Sequence, residues 1–307
     1  MNKWWLILLI ILCLTSVGFV ILVLPKDNSP SAPPLPDRID RIVSLAPNIT
    51  EILFELGLGE KIVAVSSDSD YPEEASSRLK VGTFWQPNIE SVIAAKPDLV
   101  IALWFEQHKV VAESLRRLGY QVLSLKIEKI EELSTAIQEI GAVTGCQQRA
   151  NELVENMVNR LNELQMALSS SDKAKVLWIV QVEPLRVAGR NTFVNELIEM
   201  AGGENAIGPT IQQYPLIGTE ELITCGAEVI IQSAMGTSSI NEQQQAAKVF
   251  WSKQPNLTAV KNDRINVVDS DKVLRLGPRL PHGVEMIARC LHPEIFKHEP
   301  QTVREIR

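Results

Sequence analysis

The stretch QQRANELVENMVNRLNELQMAL, residues 147–168, decides the fold of this chain. Its apolar residues recur at spacings of three and four with polar residues between them; they are Ala150, Leu153, Val154, Met157, Leu161, Leu164 and Leu168. This spacing predicts a helix with one apolar face. The stretch holds no Gly or Pro and is followed by Ser169-Ser170-Ser171-Asp172, a suitable stop. A helix over Gln147–Leu168 would be roughly 33 Å long.

Similar segments lie on both sides of this helix. Residues 88–101, NIESVIAAKPDLVI, and residues 218–231, GTEELITCGAEVII, each predict a short helix, a turn and a buried strand. In both, a Glu opens the helix (Glu90 and Glu220), and a later acidic residue precedes an apolar triplet. Two α/β lobes joined by one long helix are the simplest interpretation of this repeat.

The composition argues against some classes of protein. With 307 residues, 45% of them hydrophobic, the chain has room for two domains with sizeable cores. Its net charge of −7 argues against non-specific binding of nucleic acid, which needs a basic surface. Cys13 lies in the first apolar run, so Cys146, Cys225 and Cys290 can form at most one disulfide, and no C-x-x-C pair predicts a zinc site.

The N-terminus predicts a membrane anchor. Trp4–Leu24 carries no charge and is long enough to span a bilayer. Two alternatives remain open: cleavage near Ser16-Val17-Gly18 and lipid attachment at Cys13. The five prolines of residues 25–37 predict a semi-extended linker that holds a folded domain away from the membrane.

From Arg41 onward, strands alternate with helices, which predicts parallel sheets covered on both faces. Asn48 and Glu51 have the spacing of a capping box for a helix that runs through Leu56 and stops at Gly57. Other predicted helices cover Val110–Leu118, Ile130–Val143, Phe193–Ala201, Gln243–Gln254 and Leu280–Leu291. The predicted strands are Arg41–Leu45, Ile62–Val65, Leu99–Leu103, Gln121–Leu125, Val176–Val182, Val229–Gln232 and Ile265–Val268.

Motifs for catalysis or cofactor binding are lacking from the sequence. Gly57-Leu58-Gly59 follows a helix instead of a strand, so it predicts a helix stop and not a dinucleotide site. There is no G-x-S-x-G elbow, P-loop or H-E-x-x-H. Solvated or helix-capping roles are the simpler interpretation of His108, His282, His292 and His298, although a metal receptor could gather them from separate loops.

Aromatic residues fall at strand ends and in loops, where parallel sheets bind ligands. They are Tyr71, Phe84, Trp85, Trp104, Phe105 and Tyr214. Arg190, Arg275 and Arg279 lie at loop or helix starts and are candidates for a polar or anionic ligand. The helix dipole alone favours Glu90 and Glu220 in first turns; the functional alternative is a matched pair of charges that docks on a two-fold symmetric partner.

Several motifs of the chain resemble the periplasmic substrate-binding proteins of iron-siderophore, haem and cobalamin ABC importers. These motifs are Arg41–Glu51, Val65–Pro72, Asn88–Ile101, Gly202–Asn205, Gly277–Arg279 and Leu291–Glu294, and the resemblance covers residues 38–296. The Ser-Asp-Tyr-Pro loop at residues 69–72 and the Trp-containing loop after it are most similar to the cobalamin-binding branch. That branch has one aromatic residue where this chain has Phe84-Trp85, so either can take that place.

The resemblance implies two Rossmann-like lobes with parallel sheets, bridged by a rigid helix and with limited motion on binding. The predicted division of the chain is an anchor or signal at 1–24, a linker at 25–37, an N-terminal lobe at 38–145, a bridging helix at 146–169 and a C-terminal lobe at 170–307. The anchor departs from the soluble or lipid-anchored members of the family. Tyr71, Phe84 or Trp85, Trp104, Tyr214 and Arg275 would line the ligand cleft, with Arg190 as a further candidate. Glu90 and Glu220 would pair with arginines of the permease dimer.

The function implied is that of a receptor on the outer face of the cell membrane, without catalysis, resident cofactor or structural metal. It would capture cobalamin and deliver it to a permease dimer coupled to an ATPase; a ferric siderophore or haem is the alternative ligand. A membrane-anchored sensor is a further alternative. An α/β enzyme would need paired acid and base residues or a cysteine-bound cluster in the cleft, and the sequence indicates neither.

Overall fold

The computed structural model of the chain describes residues 38–234, 236 and 238–296, and in them two sheets lie on either side of one long helix in the sequence. The part before the helix, called the N-terminal lobe below, contains a parallel sheet in the order β3-β2-β1-β4-β5. Its strands are β1 (Ile42–Ser44), β2 (Ile62–Val65), β3 (Leu79–Lys80), β4 (Leu99–Leu103) and β5 (Val122–Leu125). Its helices are α1 (Pro47–Glu55), α2 (Glu73–Ser76), α3 (Ile89–Ala94), α4 (Glu106–Arg117) and α5 (Ile130–Thr144).

The part after the helix, the C-terminal lobe, has a mixed sheet in the order β10-β9-β6-β7. On one side of β6 its first residues pair with β8 in parallel and its last residues pair with β7 antiparallel, which departs from the parallel sheet expected. The strands are β6 (Ala174–Gln181), β7 (Arg186–Val187), β8 (Gly203–Asn205), β9 (Val229–Ala234) and β10 (Ile265–Asp269). The helices are α7 (Phe193–Met200), α8 (Thr219–Thr224), α9 (Ile240–Trp251), α10 (Thr258–Lys261), α11 (Ser270–Val273) and α12 (Leu280–Leu291).

The long helix α6 spans Gln147–Leu168, so the helix predicted from the apolar spacing is confirmed at both ends. Its apolar face is buried in a cluster that also contains Ile52 of α1 and Ile287 of α12. Near its start, Arg149 Nη1 donates a hydrogen bond to Leu56 O of the N-terminal lobe at 3.0 Å. Farther along, Arg160 Nη2 lies 2.9 Å from Glu285 Oε2 of the C-terminal lobe. The helix is therefore fixed to both lobes by packing and by charged hydrogen bonds.

The internal repeat is confirmed: α3 and β4 in one lobe match α8 and β9 in the other. The acidic residue before each strand has the same role in both. Asp98 Oδ2 accepts a hydrogen bond from Arg41 N at 2.9 Å, and Glu228 Oε2 accepts one from Lys175 N at 3.0 Å. Each carboxylate thus ties the loop before its strand to the start of the neighbouring strand.

Three local expectations from the sequence are wrong. Asn48 and Glu51 do not form a capping box, because Pro47 starts α1 after Ala46 and both side chains bond to the C-terminal lobe instead. The helix predicted from Gln243 begins at Ile240, since Ser239 and Glu242 form a capping box before it. The helix predicted from Val110 begins at Glu106.

The predicted anchor at Trp4–Leu24 and the linker at residues 25–37 lie outside the described residues. Within residues 38–296, positions 235 and 237 excepted, no helix is long and apolar enough to cross a membrane. The thiols of Cys146, Cys225 and Cys290 are free.

The contact between α5 and α6 depends on Gly141. A methyl group at Gly141 would lie 2.5 Å from Cβ of Ala150, so Gly141→Ala must push the two helices apart. We expect it to lower the free energy of unfolding by about 1–3 kcal/mol, although Ala favours a helix over Gly by about 1 kcal/mol. Urea denaturation of the full chain measures this. Adding Ala150→Gly should restore most of the loss, and a Gly141→Ala protein of unchanged stability would contradict the close packing.

Candidate ligand-binding cleft

A cleft of about 1050 Å³ lies between the lobes. Each strand of the N-terminal sheet contributes residues at or just after its carboxyl end, as expected for ligand sites of parallel sheets. These residues are Pro47, Asn48, Asp68, Phe84, Trp85, Leu103, Ile127, Glu128 and Lys129. The C-terminal lobe contributes Arg190, Asn191, Thr192, Phe193, Glu196, Gln213, Tyr214, Asp271, Leu274, Arg275 and Leu276.

The N-terminal side of the cleft presents an aromatic wall, formed by Phe84 and Trp85 with Phe105 behind them. The ring centroids of Phe84 and Trp85 are 4.9 Å apart in an edge-to-face arrangement, and those of Phe84 and Phe105 are 5.0 Å apart. Trp85 is 63% exposed although it belongs to this cluster. A large ring exposed on the wall of a cleft offers a flat apolar surface to a ligand.

The C-terminal side is formed by the start of α7 and by the loop that carries Tyr214. Thr192 caps α7, because its side chain accepts a hydrogen bond from Asn195 N. Arg190 donates to Ile207 O at 2.9 Å and pairs with Glu204 at 3.1 Å, so its charge is already compensated within the lobe. Burial raises the pKa of Tyr214, so its phenol is a neutral hydrogen-bonding group at physiological pH.

A charged cluster crosses the lobe boundary, and two of its members line the cleft. We call it the Glu51 ion cluster; its members are Glu51 and Asp70 from the N-terminal lobe and Asp271, Arg275 and Arg279 from the C-terminal lobe. Glu51, only 2% exposed, accepts two hydrogen bonds from Arg279, at 2.9 and 2.6 Å. Arg275 lies between the carboxylates of Asp70 and Asp271, at 2.7 and 2.9 Å. The lobes are therefore joined by charges that compensate one another.

Asp70 titrates differently from a free carboxyl because of this cluster. Burial opposes ionisation, but the hydrogen bond and charge of Arg275 hold its pKa below the usual value. The stability that this pairing contributes is present above the pKa of the unfolded chain, about 3.9. It is lost as the pH falls through the lowered folded value.

The charges that line the cleft nearly cancel. Asp68, Glu128, Glu196 and Asp271 face Lys129, Arg190 and Arg275, four carboxylates against three cations. Both arginines are already in ion pairs, and Asp68 accepts the backbone hydrogen bond of Phe84. The site therefore offers aromatic surface and neutral hydrogen-bonding groups more than uncompensated positive charge.

Of the seven ligand residues predicted from the sequence, five line the cleft together: Phe84, Trp85, Arg190, Tyr214 and Arg275. Tyr71 and Trp104 do not line it. The Tyr71 ring packs against the guanidinium of Arg279, 4.1 Å from the ring centroid, and the Trp104 ring lies under Lys109 Nζ at 4.7 Å. A direct contact of either residue with ligand stays a prediction.

Other lining residues were missed by the sequence analysis. Gln213 and the segment 127–129 carry no motif, and only their position in a loop or after a strand signals them. Asn48 lies in a recognised motif, but it was given only a helix-capping role. His108 was interpreted as a solvated or capping residue, which is wrong: its side chain is fully buried behind the aromatic wall.

Within the described residues, no group of three or more His, Cys, Asp or Glu side chains is placed to hold a metal ion.

Glu90 and Glu220 are exposed in the first turns of α3 and α8, at equivalent positions of the repeat. Neither carboxylate takes part in an ion pair within the part of the chain that the structure describes. Both are therefore available to an external partner.

A cleft between two α/β lobes, lined by aromatic rings and polar groups, is the architecture of a two-lobed solute-binding protein. Residues 42–272 match the model of a family described as periplasmic binding protein. The chain belongs to that family, and the resemblance predicted from the sequence is confirmed.

Relatives agree with this assignment. An ABC transporter substrate-binding lipoprotein of Bacillus subtilis is 31% identical over 84% of this chain and 81% of its own length. The periplasmic vitamin B12-binding protein of Vibrio cholerae has a similar structure, with a TM-score of 0.71 and 27% identity over 85% of this chain and 99% of that one. A possible iron-binding, periplasmic solute-binding protein of Staphylococcus epidermidis gives a TM-score of 0.73 and 29% identity over 82% of this chain and 98% of that one.

The Glu51 ion cluster predicts a large effect of a small substitution. Glu51→Gln keeps the size of the side chain but leaves the guanidinium of Arg279 without its buried counter-charge. We expect the free energy of unfolding to fall by about 3–5 kcal/mol, measured by denaturant unfolding. Asp70→Asn is the matched control: its carboxylate is largely exposed, so its loss should cost no more than about 1 kcal/mol. Equal effects of the two variants would contradict a special role of the buried carboxylate.

Proposed function

We propose that the chain is the substrate-binding receptor of an ABC importer and that its ligand is a corrinoid such as cobalamin. The observation that carries the choice of ligand is the cleft itself: an exposed aromatic wall faces neutral polar groups, and the lining charges nearly cancel. A corrinoid is a large, flat macrocycle with carboxamide side chains. Aromatic faces bury such a ring, and amide and hydroxyl groups bind its edge without uncompensated charge.

The likeness to vitamin B12-binding proteins supports this ligand. A ferric siderophore or haem is the second candidate, and the likeness to a possible iron-binding protein favours it. Haem and many siderophores carry carboxylates or other oxyanions, which would have to compete with Asp70, Asp271 and Glu204 for Arg275 and Arg190. The paired state of both arginines therefore favours a ligand without strong negative charge.

The mechanism is binding followed by delivery, with no chemical step. The ligand enters between the lobes and replaces water on Trp85, Phe84 and Tyr214. Glu90 and Glu220, one on each lobe, then dock the loaded receptor on the two related subunits of a permease dimer. The permease and its ATPase take up the ligand when the receptor is docked.

The receptor works on the outer side of the cell membrane. Residues 1–24 anchor it, as a spanning segment or through a lipid at Cys13, and residues 25–37 form the linker. The lipoprotein from Bacillus subtilis supports attachment to the membrane. The division into lobes at 38–145 and 170–307 around the helix at 146–169 belongs to the same proposal.

Calorimetry of the full chain in mild detergent tests the ligand, with cyanocobalamin, haem and a ferric hydroxamate siderophore as titrants. We expect one-to-one binding of cyanocobalamin. Trp85→Ala should weaken it by about tenfold or more, because a buried aromatic contact contributes upwards of 1.4 kcal/mol. Met166→Ala is the control, since Met166 is an exposed apolar residue on α6 that lies off the cleft. Binding of only haem or the siderophore would overturn the corrinoid and keep the receptor.

Docking is tested by charge reversal. Glu90→Arg with Glu220→Arg should abolish stimulation of ATP hydrolysis by the cognate permease–ATPase complex in nanodiscs, while ligand affinity stays at the wild-type value. Glu113→Arg with Glu155→Arg changes the net charge equally, at exposed glutamates on α4 and α6. This control pair should stimulate normally. Full stimulation by the first pair would show that the two carboxylates do not dock the receptor.

A further inference from the structure

His108 connects two segments of the cleft through both of its ring nitrogens. Its side chain is fully buried. Leu103 N donates to Nδ1 at 3.1 Å, and Nε2 lies 2.8 Å from Phe84 O. A backbone N–H can only donate, so Nδ1 carries no proton, and Nε2–H therefore donates to the carbonyl. One neutral tautomer satisfies both bonds, and Phe84 and Leu103 both line the cleft.

The loop that carries Phe84 and Trp85 is attached at its base and at its tip. Ser67 N and Oγ donate to Gly82 O at its base, at 2.7 and 3.1 Å. Its base is fixed by pairing of Gly82 with Pro87 and by the bond from Asn88 N to Val81 O. At its tip, the amide of Phe84 donates to Asp68 and its carbonyl accepts from His108. The tip of the loop is thus held by two hydrogen bonds, one to the backbone N–H and one to the carbonyl of Phe84.

The His108 ring also supports the aromatic wall by packing. Its centroid lies 4.2 Å from that of Phe105 and 5.4 Å from that of Phe84, and Phe105 in turn lies 5.8 Å from Trp85. A ring that both bonds the loop backbone and stacks behind its aromatic side chains determines where those side chains point.

We propose that His108 is the positioning residue of the aromatic wall: its hydrogen bond to Phe84 O holds Phe84 and Trp85 against the ligand, and gain of a second ring proton releases them. The proposal rests on the proposed function, because it assigns His108 to the ligand cleft described above.

Protonation would place a second N–H on Nδ1, facing the N–H of Leu103. The surroundings resist it, since burial lowers the pKa of His108 even though the bond to Phe84 O favours the charged ring. The charged groups on the segments next to the ring are Glu106 and Lys109 on its own helix and Asp68, which bonds Phe84 N, and β4 carries no charged residue. With the loop released, the ring regains an ordinary pKa near 6.5, so the released form gains population as the pH falls below about 6.5.

Two amide variants that differ by one methylene separate the two bonds. His108→Gln puts an amide N–H near the place of Nε2 and can still donate to Phe84 O. His108→Asn puts an oxygen near the place of Nδ1 and can still accept from Leu103 N, but it cannot reach Phe84. Each loses one buried hydrogen bond and the ring contacts of His108, so a merely structural role would lower the stability of both and would not confine the change to the loop at residues 81–88.

The experiment uses the full chain in mild detergent, with cyanocobalamin affinity measured from pH 5 to 8 and hydrogen exchange of residues 81–88 measured without ligand. We expect His108→Asn to exchange faster in this loop and to bind at least about tenfold more weakly at pH 7.5. His108→Gln should keep the slow exchange and the affinity. Wild-type affinity should fall below about pH 6.5, while that of His108→Gln should not. His282→Gln, at a half-buried histidine outside the cleft, should keep the wild-type pH profile.

Equal loop exchange and affinity in the Asn and Gln variants, or a wild-type pH profile in His108→Gln, would overturn the proposal. If His108→Asn does not fold, the pH profile of His108→Gln decides. If the wild type binds no corrinoid, the proposed ligand fails, and faster exchange confined to residues 81–88 in His108→Asn still supports the positioning role.

Discussion

The buried carboxylate of Glu51 is the constraint on which the arrangement of the lobes depends. A charge removed from water costs several kcal/mol unless it is paired, and both guanidinium groups near Glu51 come from the C-terminal lobe. Moving the lobes apart at this point would leave the carboxylate without a counter-charge. The start of α1 and the segment before α12 therefore stay together, and the bond from Asn48 to Leu276 O reinforces them.

The cleft follows from this constraint and from the direction of the strands. Nearly all strands that border the cleft have their carboxyl ends at the cleft, so short loops from both sheets meet across it. The ion cluster and α6 limit how far the lobes can move, and adjustment to a ligand is then left to the loops. The loop that carries Phe84 and Trp85 is the most exposed aromatic part of the wall, which is why the groups that hold it matter for binding.

Much of this arrangement could be predicted from local sequence. The apolar period of residues 147–168 gave the limits of α6, and the repeat at residues 88–101 and 218–231 gave two equivalent helix–strand units. Aromatic residues at strand ends and in loops located three cleft residues, and arginines at loop or helix starts located two more. Contacts between residues far apart in the sequence could not be predicted. Asn48 and Glu51 look like a local capping pair, but their hydrogen-bond partners lie more than two hundred residues away in the sequence. His108 has no sequence signal either, because a lone histidine on a helix does not show that a carbonyl from an earlier loop will meet it.

Because α6 is attached to both lobes, the rotation of the helix between its two attachment points determines how the lobes face each other across the cleft. Arg149 bonds the N-terminal lobe and Arg160 bonds the C-terminal lobe, and the separation between them is close to three whole turns, so both point to nearly the same side of the helix. Deleting one residue between them would rotate one lobe by about 100° about the helix axis relative to the other. Inserting about four residues would bring the two arginines nearly back to the same side of the helix but would lengthen the helix by roughly 6 Å. The relative orientation of the lobes thus depends on the number of residues between Arg149 and Arg160. This part of α6 therefore tolerates substitutions far better than insertions or deletions.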